Sequence, residues 1–214
     1  MTNILRQACA LIPAAVFLLS PHAYSSDIAV DRIQKAYEGI KDMNGSFVQK
    51  SHIKDLKRTD SFKGTFMIKM PSMMRWHYQG DDRHNTEVII NNDEMIVHQK
   101  NEKQAFKSRF NRDTYGQAPI ALLSGFADIE KEFEVVKSGD KLLLKPKKSA
   151  SSMTSIEITA SEEGFPISSL TIVDRRSNRI EITLKDIVLN TGIKDSVFDF
   201  SLPKGVSMYE HKSQ

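Results

Sequence analysis

The side chains that could carry proton, metal or nucleophile chemistry are few and badly spaced for it. His52, His77, His84, His98 and His211 show no metal-ligand spacing, and no His-Glu-x-x-His run occurs. The only cysteine, Cys9, lies in the most apolar stretch, so neither an internal disulfide nor a cysteine-based metal site can form. There is no Gly-x-Ser-x-Gly elbow and no glycine-rich phosphate loop. Asp81 and Asp82, between Gly80 and Arg83, read as a solvated hairpin turn rather than a catalytic pair, and Lys145-Pro146-Lys147-Lys148 reads as an exposed loop. His77 and His98 fall in strands among charged neighbours and read as solvent-facing. With 30 basic against 27 acidic residues, no basic block points to nucleic acid. A binding or carrier protein without a cofactor or metal is the class that remains.

The elements that would position such a function begin with a discarded leader. Residues 8–20 form an uncharged apolar run behind Arg6, shorter than the ~20 residues a membrane-spanning helix needs. Ala23-Tyr24-Ser25 supplies the small residues of a cleavage site, so residues 1–25 read as a signal peptide cut near Ser25 and 26–214 as a single domain. Cleavage would remove Cys9 and leave a thiol-free protein, suited to an oxidising exported compartment.

In the mature part, Val30, Ile33, Tyr37 and Ile40 recur at helical spacing with charged residues between them, the pattern of one amphipathic helix. Beyond Gly45 the period becomes two. Residues 62–68, 74–78, 86–90, 94–99, 104–110, 133–137, 141–145, 155–160, 168–175 and 179–187 read as strands separated by short turns. Such short connections imply antiparallel neighbours in a meander large enough to curl. Pro119-Ile120-Ala121-Leu122-Leu123 before Gly125 reads as a short helix, apolar nearly all round and therefore buried.

Met67, Met70, Met73 and Met74 cluster within eight residues, and Met95 follows in a later strand. Flexible thioethers suit a surface that adapts to ligands of varying shape. Few helices are available to cover so many strands, which suggests a cavity between sheet and helices, and lipid or acyl chains as cargo.

Several segments taken in order resemble a known family. They are Ser46-Phe47-Val48-Gln49, Phe62-Lys63-Gly64-Thr65-Phe66, Ile68-Lys69-Met70-Pro71-Ser72-Met73-Met74-Arg75-Trp76-His77-Tyr78, Ile90-Asn91-Asn92-Asp93, Ala118-Pro119-Ile120-Ala121-Leu122-Leu123, Leu144-Lys145-Pro146-Lys147, Ile172-Val173-Asp174 with Asn178, and Phe198-Asp199-Phe200 with Pro203-Lys204-Gly205-Val206. Together they are similar to the LolA family of periplasmic outer-membrane lipoprotein carriers.

The resemblance implies a mainly β fold with some α: an unclosed antiparallel half-barrel of about 11 strands, with a lid of short helices over a hydrophobic cavity. It further implies a monomeric carrier that takes acylated lipoproteins from an inner-membrane ABC-type release complex and passes them to an outer-membrane acceptor lipoprotein. No cofactor, metal or nucleic acid is used. Expected cavity and lid residues are Val30, Ile33, Tyr37, Phe47, Phe66, Met70, Met74, Trp76, Met95, Ile120, Leu122 and Leu123, with Met73 and Met74 as partner contacts. Met70 stands where the family usually has an arginine that holds the lid by hydrogen bonds, which a thioether cannot donate. That departure motivates an alternative cargo, another lipid or a glycolipid, on the same fold. A sensor domain for mislocalised lipoproteins is a third reading, disfavoured by the length of the chain.

Overall fold

A computed structural model describes residues 24–80, 85–110, 123, 129–138, 141–147, 153–161 and 164–210. Helix α1 (Tyr24–Glu38) is followed by β1 (Asp42–Ile53), β2 (Arg58–Lys69), β3 (Met73–Gln79), β4 (Thr86–Asn91), β5 (Glu94–Gln99) and β6 (Gln104–Arg109). After a short α2 (Ile129–Glu132) come β7 (Phe133–Ser138), β8 (Lys141–Pro146), β9 (Met153–Ala160), β10 (Ile167–Asp174), β11 (Arg179–Leu189) and β12 (Ser207–Glu210). Among the described residues, no helix is long and apolar enough to cross a membrane.

The twelve strands make one unclosed sheet in the order β12-β6-β5-β4-β3-β2-β1-β11-β10-β9-β8-β7. The single meander expected from the turns is instead two antiparallel ladders, β1 to β6 and β7 to β11, joined where β1 pairs with β11. Alternation sets which face a side chain takes, and short turns set only local neighbours. Neither reveals the β1–β11 seam. β6 lies next to the edge strand β12 and β7 forms the opposite edge, so the consecutive strands β6 and β7 have nine others between them, and they are linked by the chain between Arg109 and Phe133. Its described members Leu123 and Ile129 are both completely buried in the core. β12, absent from the sequence expectation, pairs in parallel with β6 after a long excursion, the one exception to antiparallel pairing.

The inner face of the sheet is the face α1 covers. Val30, Ile33, Tyr37 and Ile40 join a single core cluster with Met43, Phe47, Phe66, Ile68 and their neighbours, as the three- and four-residue spacing requires.

The outer face has its own cover. A strap of residues 190–206 leaves β11, crosses β2 to β5 and ends in β12. The carboxylate of Asp42 accepts hydrogen bonds from the amides of Thr191 (2.7 Å), Gly192 (3.0 Å) and Ile193 (3.3 Å), and from the Thr191 hydroxyl. Lys69 then donates to the carbonyl of Ile193 and pairs with Asp195. Arg75 donates to the carbonyl of Val197 at 2.7 Å. Phe198 is buried under a 3-10 turn (Asp195–Phe198), and the ring of Phe200 meets that of His98 edge-on.

This strap corrects the sequence reading of His98, which is buried rather than solvent-facing. Its Nε2 has no hydrogen-bond partner among the described residues. Burial pushes the imidazole below its ordinary pKa; nearby Glu87 opposes this, while Lys100 and Arg75 reinforce it. Because the folded value is depressed, the stabilisation is complete above pH ~6.5 and is lost as pH falls from there toward the folded value. His98→Leu, which fills the site without titrating, should flatten the fall in thermal midpoint between pH 7 and pH 5, read by circular dichroism melts.

Candidate functional site

The inner face is built from rows of side chains that the register lines up across the strands. Phe47 pairs with Gly64, which pairs with Tyr78. Met43 pairs with Ile68, then Met74, Ile90 and Met95. On the other ladder Ile182, Leu170, Ile158 and Leu142 form one row. Period-two alternation turns every one of these toward α1.

Aromatic rings fill the centre. The Phe47 and Trp76 centroids are 4.0 Å apart, Tyr78 meets Phe47 edge-on at 5.5 Å, and Phe66 lies 6.1 Å from Trp76. This is possible because β2 carries glycine at position 64. A Cβ there would stand 1.9 Å from the His77 carbonyl oxygen and 2.7 Å from the Phe47 ring. From the helix side, Tyr37 packs on Phe165 with centroids 5.8 Å apart.

The buried polar groups of the inner face are few and neutral. The buried polar side chains among the described residues are Asp42, Gln49, Glu87 and His98. Register puts only Gln49 on the inner face; it accepts from the Tyr78 hydroxyl at 3.0 Å and donates to Ser51. Burial raises the Tyr78 hydroxyl far above its ordinary value. Burial likewise pushes Tyr37 upward, so both remain uncharged phenols. An interior of this kind offers dispersion and the hydrophobic effect to a ligand, with no charge to anchor one.

The buried charges sit on the outer face. Glu87 pairs with Arg75 at 2.8 Å and lies 3.8 Å from Lys100. Burial would raise this carboxyl, but the Arg75 hydrogen bond and the charges of Arg75, Lys100 and His77 outweigh that and hold it low. The network is a foundation for the strap, since Arg75 also reaches Val197. Among the described residues, no group of three or more His, Cys, Asp or Glu could hold a metal ion.

Of the expected cavity and lid residues, Val30, Ile33, Tyr37, Phe47, Phe66, Met74, Trp76, Met95 and Leu123 all lie in the one core cluster. Met70 packs partly buried against it. Ile120 and Leu122 fall outside the described residues. Met73 and Met74 take opposite faces of β3: Met74 is buried inside, and Met73 is half-buried at the surface beside Lys69 and Asn91. Sequence reasoning passed over Tyr78, Val88, Ile90 and the inner residues of β8 to β11, although the same alternation marks them.

A model of the family described as "Outer membrane lipoprotein carrier protein LolA" matches residues 38–201. The chain is 25% identical over 207 residues to an outer-membrane lipoprotein carrier protein of Halorhodospira halophila, covering 96% of each chain. It is also 25% identical over 206 residues to the outer-membrane lipoprotein carrier protein of Yersinia enterocolitica, covering 96% of this chain and 97% of that one. Among solved structures, a LolA superfamily protein from Nitrosomonas europaea superposes with a TM-score of 0.51 at 8% identity, covering 83% of this chain and 99% of that one. A DUF1329 family protein from Desulfovibrio piger gives 0.52 at 10% identity, covering 81% and 97%. At such identities the structural likeness concerns the fold alone.

Proposed function

Because the chain belongs to the LolA family of outer membrane lipoprotein carrier proteins, we propose that it is a periplasmic carrier that shields the acyl chains of lipoproteins between the inner and outer membranes. The observation that carries this reading is the inner face itself: an unclosed sheet whose lining is apolar and aromatic, with Gln49 as its only buried polar side chain among the described residues. A fatty chain needs such a lining and nothing else, since each buried methylene contributes about 0.8 kcal/mol.

The reading includes removal of residues 1–25 on export, with 26–214 as one domain, a monomer without catalytic activity. Cargo would arrive from an inner-membrane ABC-type release complex and leave to an outer-membrane acceptor lipoprotein. Transfer would run toward whichever partner holds the acyl chains more tightly. Met73 is then the side chain of the β2–β3 corner placed to touch a partner, since Met74 points inward. Met70 would hold the cover by apolar packing where the family resemblance implies an arginine. The same replacement keeps a second cargo, another lipid or a glycolipid, in view.

The direct test is release. Spheroplasts or inner-membrane vesicles charged with a triacylated lipoprotein are incubated with the purified protein, and the supernatant is probed for a soluble one-to-one complex. Lipoprotein that stays in the membrane would sink the reading, and mass spectrometry of lipids extracted from the native protein separates the two cargoes. Leu123→Glu adds an internal check. Leu123 is completely buried in the core but lies outside the strands, so an unpaired carboxylate there should abolish release. The far-UV spectrum of the sheet should persist.

A further inference from the structure

One row of the inner face does not stop at the covered core. Trp76 pairs with Val88, Val88 with Val97, Val97 with Phe106 and Phe106 with Tyr209, so five apolar side chains follow one another across β3, β4, β5, β6 and β12. Exposure rises along the row. Trp76 and Val88 are 2% and 3% exposed, whereas Phe106 and Tyr209 are 40% and 50% exposed, their rings stacked at 5.5 Å. At the outer strands the row is bordered on the same face by Gln104 and Ser207 on one side and Ser108 on the other. The apolar strip is therefore one side chain wide where it meets solvent.

We propose that this strip is an acyl-chain track, in which one extended fatty chain lies across the strands with its polar end at Tyr209 and its methyl end at Trp76. Three features select that occupant. The strip is continuous with the buried interior, so a chain on it passes from solvent to core without crossing a polar residue. Its narrow width suits a single hydrocarbon chain, whereas a protein partner needs a broad patch. Its length is four strand spacings, about 19 Å, comparable with the ~15 Å depth of one bilayer leaflet. The track rests on the carrier reading and deepens it by giving the interior an entrance at the β6–β12 edge, on the side opposite β7.

Trp76 is the only tryptophan, which makes the track directly observable. Stearic acid brominated near the methyl end should quench Trp76 fluorescence on binding more strongly than stearic acid brominated next to the carboxyl group. Phe106→Ser and Tyr209→Ser should each weaken binding by about tenfold, the effect of losing one well-placed aromatic contact. Leu56→Ser, which removes a still more exposed apolar side chain from the β1–β2 turn, should leave binding unchanged. Because Phe106 and Tyr209 are exposed, unchanged melting curves should accompany the losses.

Wild-type affinity in the Phe106→Ser, Tyr209→Ser double variant would overturn the track and leave the carrier intact. Stronger quenching by the carboxyl-end bromine would overturn the proposed direction and with it the entrance. A wild-type protein that bound neither fatty acid nor lipoprotein would instead overturn the carrier reading itself. Light scattering that showed a dimer dissolving on Tyr209→Ser would make the strip a contact between copies and overturn the track.

Discussion

Gly64→Ala is expected to be the most destabilising single methyl addition in the sheet. The added methyl would stand 1.9 Å from the His77 backbone oxygen and under 3 Å from two atoms of the Phe47 ring. A flexible side chain could yield, but the His77 carbonyl belongs to the β2–β3 ladder, where Thr65 faces His77. Moving it separates β2 from β3, and moving Phe47 empties the centre of the aromatic cluster. Overpacking of this kind costs 1–3 kcal/mol in ordinary cores, and here about 3 kcal/mol or more is expected, a large part of the 5–15 kcal/mol that holds a typical domain together. Urea titration followed by Trp76 fluorescence would measure it. Gly164 is the fitting control: its φ is +68° and nothing lies within 4 Å of an added Cβ. Gly164→Ala should cost only the ~1–2 kcal/mol of a left-handed alanine.

Asp42→Ala is expected to free the strap and cost about 2–4 kcal/mol, because three amides and a hydroxyl lose their common acceptor. Limited proteolysis should then cut within residues 190–206, which the parent protein protects. The pH dependence of this clamp has a definite sign. Burial pushes the Asp42 carboxyl up, yet the hydrogen bonds from Thr191, Gly192 and Ile193 prevail and hold it below its ordinary value. Its contribution is therefore complete above the unfolded carboxylate value near pH 4 and is lost as pH falls through the folded one. Asp42→Asn keeps part of the hydrogen bonding without titrating. Its stability should vary less with pH below 5 than that of the parent protein, measured by thermal melts across that range.

The contrast between those two sites marks what could be read in advance. Alternation placed Phe66, Met74, Trp76 and Met95 on one face, and the helical spacing of Val30, Ile33 and Tyr37 placed α1 over them, because face and period are local properties of the chain. Pairing partners beyond the next turn are not. The seam of β1 with β11 joins residues such as Phe47 and Leu184, and nothing in either segment names the other. β12 is only four residues long and follows Pro203 and Gly205, so it carried no strand signal. The strap escaped for a related reason: Phe198 and Phe200 were legible as a motif, but the face they cover was not. His98 looked like part of an ordinary solvated strand surface until residues about a hundred positions away were laid over it.

The seam has a consequence for how the molecule comes into being. β1 acquires its first partner, β2, within the next sixteen residues, while its second, β11, is among the last long segments to be made. Until Arg179–Leu189 is available, β1 offers a bare edge in the middle of the future sheet, and an open edge is a template for the wrong strand. Contacts so distant in sequence also form slowly. Ile182 and Leu184, which complete the lining beside Gln49 and Phe47, come with that same strand. A partly delivered chain thus has neither a closed sheet nor a finished interior, and protection from aggregation is needed during this interval by the very molecule whose work is to protect others from it.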